Sequence, residues 1–348
     1  MFSQQRFIKD FEEQEMCPEV YQPSLFWRDA LIKIEESLKL NGLDGFRGNK
    51  TNLKFFVPTY GYPSKKLSAA SISETFMKIG KPLNHKQMRF IENKFNGYDH
   101  ALSDYRAFKI ANDGRDYFGL LNFSESKIGN PIEHFRFENR WFSRSSLNYL
   151  LGLSLLCSIA PDFKPKKILE IGGGFGTLAE IIAKSNLEGS KYLGLDLPVM
   201  TSIAKNYFSN CFNGQKSKSI TTQILKETFT FDDLLQYSFL PNWKIEALEG
   251  SIDLFVNFIS FQEMEPDIVS NYIFHVQRLK PQWVLLRNLR EGKQLALGKK
   301  VGVYNKLLTK DYLEYFYDYE LVKSSVLEYG FETPDGFNSE LLVLKKRN

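Results

Sequence analysis

The 348 residues include only three cysteines, Cys17, Cys157 and Cys211, odd in number and far apart. Their spacing fits neither a zinc-binding pattern nor a disulfide framework. Such sparse use is that of a reducing compartment. Long apolar runs are missing too. The longest, "YLLGLSLLCSIA" from Tyr149 to Ala160, has 12 residues, whereas a bilayer span needs about 20. The opening "MFSQQRFIKDFEEQEMC" has no apolar stretch of the secretory-signal kind. A cytoplasmic protein with no membrane-spanning segment is expected. There is little bias of charge: 45 basic side chains face 41 acidic ones, for a net charge of +4. The densest basic cluster, "KPKK" at Lys164–Lys167, stands before an apolar strand, where solvation of the strand entry accounts for it. Without an Arg/Lys stripe to follow a phosphate backbone, nucleic acid is not an expected partner. Nor is there an internal repeat, or a strand series before residue 115.

What is present is ordinary globular composition, 43% apolar and 25% charged, with an unusual 30 Phe and 17 Tyr. Those rings either fill the core or line an aromatic cleft of the sort that sugars and nucleobases favour. The length predicts two domains, or one large domain with an addition. Residues 1–150 read as mainly helical. "PSLFWRDALIKIEESLKL" has Leu25, Phe26, Ala30, Ile34 and Leu38 near helical spacing, and further helices are expected at Ser71–Ile79, at His85–Lys94 and through "GYDHALSDYRAFKIANDG". "GNPIEHFRFENRWFSRSSLNYLLGLSLLCSIAPDF" then moves from a turn into a long helix closed by Pro161.

From there strand and helix alternate. Strands are predicted at Lys167–Ile171, Tyr192–Leu195, "IDLFVNFI", "WVLLRNL", Glu320–Val326 and "SELLVLKK". Helices are predicted at Thr177–Lys184, Pro198–Phe208, Pro266–Leu279 and Lys310–Tyr317, and the region Ser219–Leu248 should hold a third strand and a helix through "TFDDLLQY". This order means a largely parallel sheet with helices on both faces. The last two strands are joined by only "LEYGFETPDGFN", too short for a parallel crossover, so that pair is antiparallel. The expected fold is a doubly wound, mostly parallel seven-stranded sheet over residues 151–348, its final strand antiparallel, with residues 1–150 packed over the carboxyl edge as a helical cap beside the acceptor.

The stretch "ILEIGGGFG" sets Gly172, Gly174 and Gly176 at alternate positions just past a strand. Glycine permits the tight turn and a close approach of backbone to ligand, and the next helix start faces that ligand with its N–H groups. A dinucleotide loop would have glycine or alanine three residues after Gly174, where Thr177 stands. Glu170, two residues before the first glycine, would repel a pyrophosphate and suits a cationic amino-acid end. Asp196 closes the next strand, 24 residues after Gly172, with Leu197 beside it. A carboxylate there can accept both hydroxyls of a ribose. Together these residues indicate S-adenosylmethionine rather than NAD.

With those motifs in view the chain resembles the Rossmann-like S-adenosylmethionine-dependent methyltransferases. More narrowly it resembles the sugar O-methyltransferases found with surface-polysaccharide gene sets, on "GNPIEHFRFENRWFSRSSLNYLLGLSLL", "ILEIGGGFGTLAEII", "YLGLDLP" and "IDLFVNFISFQEME". The resemblance runs from about residue 115 to the end. It implies that Gly172, Gly174 and Gly176 wrap the amino-acid part of the cofactor and that Asp196 holds its ribose. It also implies a sugar, nucleotide-sugar or glycan acceptor. Phe175 and Thr177 depart from the narrower family's usual loop.

Ligands of such sheets bind outside the carboxyl ends of the strands, which puts "NFISFQEMEP" over the reactive end of the cofactor. A sugar hydroxyl is a poor nucleophile, so a base within hydrogen-bond reach is expected. Glu263 is the first candidate and His134 the second. Asn257 is expected to line the methionine pocket and Gln262 to orient a hydroxyl, while Asp253 opens the strand and His275 is structural. Arg140 and Arg144, four apart, are read as one helix face that holds the cofactor carboxylate or an acidic sugar, or else is solvated. No convergent carboxylate set suggests a metal. Competing functions are methylation of another small molecule or a protein side chain, and a non-catalytic scaffold. An "NPPY"-type strand end for amino-group chemistry on bases is absent, "NFIS" standing in its place. An oligomer is compatible with the sequence.

Overall fold

A computed structural model describes residues 17–60, 69–116, 118–214, 216, 219–221, 223–224, 226–296, 302–326, 331–332 and 338–347. The opening segment through Met16, expected not to be a secretory signal, lies outside them, as does most of the link before the last strand. The N-terminal part carries α1 (Leu25–Asn41), α2 (Lys50–Phe55), α3 (Ala69–Lys78), α4 (His85–Phe95) and α5 (Tyr98–Asn112). The Asn84 side chain accepts from Gln87 N and the Gln87 side chain accepts from Asn84 N, a capping box that fixes the start of α4.

A hairpin that the sequence reading missed follows, β1 (Phe135–Phe137) and β2 (Arg140–Phe142). Its turn residues Glu138 and Asn139 both have positive φ, at 46° and 64°, as two-residue hairpin turns require. Helix α6 (Arg144–Ile159) begins directly after it, with the Ser143 hydroxyl accepting from Ser146 N. The hairpin corrects one expectation: Arg140 lies in β2 and Arg144 at the start of α6, so the two do not share a helix face.

The alternating part then runs β3 (Lys167–Ile171), α7 (Thr177–Lys184), β4 (Lys191–Asp196), α8 (Pro198–Cys211), β5 (Ile220–Thr221), β6 (Tyr237–Pro241), β7 (Leu254–Phe258), α9 (Pro266–Arg278), β8 (Trp283–Leu289), α10 (Thr309–Tyr315), β9 (Tyr319–Ser325), β10 (Phe331–Glu332) and β11 (Asn338–Lys346). "TFDDLLQY" does not form the expected helix. Thr230 caps a single 3₁₀ turn at Phe231–Asp233, and the chain then enters β6. Thr230 and Asp233 cap the start of that turn, but Leu234 is already extended (φ −95°, ψ 148°), so the turn is not propagated.

The sheet order is β10-β11-β8-β7-β3-β4-β6-β5, with β9 on the far side of β11. Pairing is parallel from β5 through β8 and antiparallel wherever β11 takes part. Seven longer strands thus form the expected doubly wound, mostly parallel sheet with its antiparallel last strand; β5 and β10, of two residues each, extend its edges. Alternate residues of β3 face opposite layers. Ile168 packs with α5, α6 and α7, while Leu169 and Ile171 pack with α9 and α10. No helix among the described residues is long and apolar enough to cross a membrane.

The N-terminal helices share these cores. Ala30, Ile34 and Leu38 of α1 and Leu53 of α2 pack with Phe175 of the glycine loop and Met200, Ile203 and Tyr207 of α8. The boundary expected at 150/151 falls inside α6. A buried ionic link holds the N-terminal part together on the near side of that boundary. Arg47 Nη2 donates to Glu125 Oε1 at 2.6 Å, and Glu125 also accepts from Ser143 N, Ser143 Oγ and Ser146 Oγ. Burial opposes ionisation of Glu125, yet the Arg47 guanidinium and the His134 and Ser143 donors hold its carboxyl down at about 2. Removing one partner of such a pair strands the other charge in the core. Glu125→Ala is therefore expected to cost about 3–5 kcal/mol in urea unfolding; a loss below about 1 kcal/mol, the scale of an exposed pair, would show that the link is not sealed from water.

Candidate active site

The carboxyl ends of β3, β4, β6, β7 and β8 meet the N-terminal helices around one cavity of about 430 Å³. Its floor is the glycine loop. Gly172 has φ of +73° and Gly174 of +59°, in the left-handed region that side chains disfavour. A Cβ at Gly172 would collide with Ser260 Oγ, whereas at Gly174 the nearest atom would be Phe56 O at 4.0 Å. The first glycine is thus required by packing against the end of β7, and the second leaves bare backbone facing the cavity.

Asp196 ends β4 at the rim. Its Oδ2 accepts from Gly174 N at 3.0 Å and its Oδ1 from Leu197 N at 2.8 Å, so the carboxylate anchors the loop it stands beside. Each oxygen keeps a further lone pair for a ligand hydroxyl. Burial raises its pKa to about 7, against the two backbone donors. Leu197 also lines the wall.

Three sequence candidates sit behind the wall. Glu170 is fully buried beneath Gly173, where a Cβ would come within 2.5 Å of its Oε2. It accepts from the Tyr192 hydroxyl, and burial lifts its carboxyl to about 7 against hydrogen bonds from Tyr149 and Tyr192. Its charge therefore acts through Gly173 rather than by contact. Gly176 packs against Ala204 of α8. Asn257 ties three strands together: its Nδ2 donates to Ile171 O and Ser260 Oγ, and its Oδ1 accepts from Asn288 Nδ2 and Phe261 N.

The segment after β7 turns sharply. Ile259 has φ of +71°, a costly conformation for a β-branched residue. It is held there by a 2.6 Å bond from its N–H to Arg287 O, and it lines the cavity. Gln262 follows and lines the cavity, and its Oε1 accepts from Leu289 N at 2.7 Å, which braces the end of β8.

Glu263 does reach the cavity. Its Oε1 accepts from Lys293 Nζ at 2.8 Å and its Oε2 from Trp27 Nε1 at 3.2 Å, while its backbone oxygen accepts from Ser24 Oγ at 2.7 Å. The carboxylate thereby joins α1 to the segment after β8. His134 lies elsewhere: it stacks on Trp141 with ring centroids 5.1 Å apart, its Nε2 is 3.5 Å from Glu125 Oε2, and it is not part of the cavity wall. His275 sits on α9, away from the wall, and burial lowers its pKa.

Several wall residues escaped the sequence reading. Trp27 and Phe26 of α1 and Phe55 and Phe56 around the end of α2 cover the cavity. Asn148 of α6 is 2% exposed and Thr177 of α7 is 1% exposed; both line the cavity, and neither the Asn148 amide nor the Thr177 hydroxyl has a partner among the described residues. Buried polar groups are rarely left this way. Beside them Arg144, at the first position of α6, donates to Thr59 O at 2.7 Å. A guanidinium, an amide and a hydroxyl thus line the same cavity, donors that suit a carboxylate. Among the described residues no group of His, Cys, Asp and Glu side chains could hold a metal ion.

No family model matches the chain, and no curated protein matches it. Solved structures do. The magnesium protoporphyrin IX methyltransferase from Synechocystis PCC 6803, with bound SAH, is 13% identical, at a TM-score of 0.40 over 58% of this chain and 83% of that one. An S-adenosylmethionine-dependent methyltransferase from Clostridium acetobutylicum ATCC 824 is 12% identical, at 0.38 over 57% and 90%. The mitomycin 7-O-methyltransferase MmcR is 11% identical, at 0.37 over 98% and 72%. Likeness this distant leaves function to be read from the chain's own residues.

Proposed function

We propose that this chain is an S-adenosylmethionine-dependent O-methyltransferase whose acceptor is a sugar hydroxyl, free, nucleotide-linked or in a glycan. The observation that carries the cofactor is the pairing of the open Gly174 backbone with the Asp196 carboxylate on one wall of the cavity. The residues present suit that cofactor from end to end. Asp196 would accept the ribose hydroxyls, and bare backbone at Gly174 leaves room for the chain of the amino acid. Arg144, Asn148 and Thr177 would take the carboxylate, satisfying the two polar side chains that lack partners. The buried Glu170 adds negative potential beneath the loop, which favours an ammonium above it.

When bound, the cofactor supplies an activated methyl group on a sulfonium. The protein's part is alignment, exclusion of water and acceptance of one proton. The N-terminal helices close the site with Phe26, Trp27 and Phe56. Glu263 is the group on the wall able to accept the hydroxyl proton, and Trp27 and Lys293 fix its two oxygens. The sugar reading draws on the sequence resemblance and on the indole of Trp27 at the wall, an amphipathic surface of the kind that sugar faces stack on.

Calorimetric titration of the purified chain tests the cofactor. S-adenosylmethionine and its demethylated product are expected to bind, and NAD is not. Binding of NAD without a response to the other two would sink the reading.

A further inference from the structure

The charges of the cavity wall are not balanced. Among the described residues it carries Lys54, Arg144 and Lys293 against Asp196 and Glu263, three cations to two anions. S-adenosylmethionine would add one more positive charge, the sulfonium, to its own ammonium–carboxylate pair. With the buried Glu170 behind the loop counted as well, the loaded site stays net positive, and a site of that sign is complementary to an anion. The three cations differ in their surroundings. Lys54 is placed over the ring of Phe55, 5.4 Å from its centroid. Arg144 is bound to Thr59 O and is the guanidinium proposed above for the cofactor carboxylate. Lys293 stands beyond the end of β8 with its ammonium on Glu263, the group placed to take the acceptor's proton.

Resting on the methyltransferase reading, we propose that the acceptor is an acidic sugar and that Lys293 binds its acid group. The pair Lys293–Glu263 is then the acceptor site in its closed form. Lys293 Nζ lies 2.8 Å from Glu263 Oε1 and 4.5 Å from the centroid of the Phe26 ring, with side chains 18% and 9% exposed for lysine and glutamate. An ammonium has three donors on a flexible stem, so it can turn from Glu263 to an incoming acid without moving the backbone. That exchange does two things at once. It satisfies the acid, and it leaves Glu263 with one fewer cation holding its electron pair, beside the hydroxyl it must deprotonate. A neutral sugar offers Lys293 no better partner than Glu263 and leaves the ion pair shut.

The acid can be a carboxylate on the ring or a phosphate on a linked nucleotide, and paired probes separate the two. The protein is saturated with S-adenosylhomocysteine, whose binding is measured first, and then titrated with glucose against glucuronate, galactose against galacturonate, and the UDP-linked form of each. The acid member of a ring pair is expected to bind at least about tenfold more tightly, a preference of roughly 1.4 kcal/mol. Lys293→Met should bring that preference to parity and Lys293→Arg should keep it. A gain that follows UDP instead of the ring acid, and that also falls in Lys293→Met, places the acid on the nucleotide. No preference in any pair, or a preference that survives Lys293→Met, overturns the inference while S-adenosylhomocysteine binding stands. Failure of S-adenosylhomocysteine to bind overturns the methyltransferase reading and this inference with it.

Discussion

Glu263→Gln is expected to lower turnover by about 10²–10⁴-fold, the usual reach of a general base. The substitution keeps the shape of the side chain, and its amide oxygen can still accept from Trp27 Nε1. The glycine loop and Asp196 are untouched, so affinity for S-adenosylhomocysteine should change by less than about threefold, under 1 kcal/mol. The loss should appear in kcat as well as in kcat/KM, because proton acceptance grows in the transition state. His134→Gln is the paired measurement. Its imidazole lies against Glu125 and Trp141, off the cavity wall, and so its replacement should lower stability and spare turnover. Collapse of turnover in His134→Gln with wild-type rates in Glu263→Gln would move the base to the hairpin segment. Loss of cofactor binding in Glu263→Gln would mark Glu263 as a structural carboxylate whose ion pair with Lys293 holds the wall together.

The alternating half of the chain was legible because its strands are short apolar runs buried on both faces, bounded by glycine and proline. The predicted limits of β3, α7 and β8 match the structure residue for residue. Local pattern failed where a few polar residues decide the backbone. "TFDDLLQY" has helical spacing and a capped start at Thr230, but Leu234 is already extended and the chain passes into β6 after one turn. "FRFENRWF" alternates like a strand pair, with Glu-Asn at the turn, yet Arg140 and Arg144 invited a helical reading because the helix starts only one residue after β2.

The site divides in the same way. Gly172, Gly174 and Asp196 are recoverable from sequence because their neighbours in space are also neighbours along the chain, through strand, loop and strand. Trp27 and Glu263 are 236 positions apart, and Ser24 and Glu263 are 239 apart, so no window of sequence shows that they touch. Asn148 and Thr177 lie inside the quoted segments, but nothing in their type or spacing marks them as ligands. They stand out only once burial shows that each lacks a partner. Glu170 illustrates the converse: its type and spacing pointed to a ligand contact, and only the fold shows Gly173 lying between the carboxyl and the cavity.

Asp196→Ala is expected to weaken cofactor binding by at least about two decades, since two charge-assisted hydrogen bonds to the ribose are lost, each worth about 1.5–3 kcal/mol. The anchor that Asp196 gives to Gly174 N and Leu197 N goes with them. The same carboxyl makes binding depend on pH. Burial raises Asp196 and Glu170 to about 7 in the free protein. A carboxyl raised in this way stabilises the fold while it is protonated, below its unfolded pKa, and that contribution is lost as pH rises through the folded value near 7. The free protein should therefore lose stability from these two groups between about pH 4 and 7. Cofactor binding runs in the opposite sense. Ribose hydroxyls donate best to an ionised Asp196, and an ammonium above Gly173 favours an ionised Glu170, so binding releases protons. Affinity should rise from about pH 5 to 8, by up to about tenfold per unit for each carboxyl below its pKa. Titrations in buffers of different ionisation enthalpy count the protons released. Asp196→Asn should remove its share of the release and Glu170→Gln the other, and Glu170→Gln should also raise the stability of the free protein at about pH 8. An affinity that is flat over that range, with no proton released, would mean that both carboxyls are already ionised in the free protein and that the loop's own N–H groups outweigh the burial of Asp196.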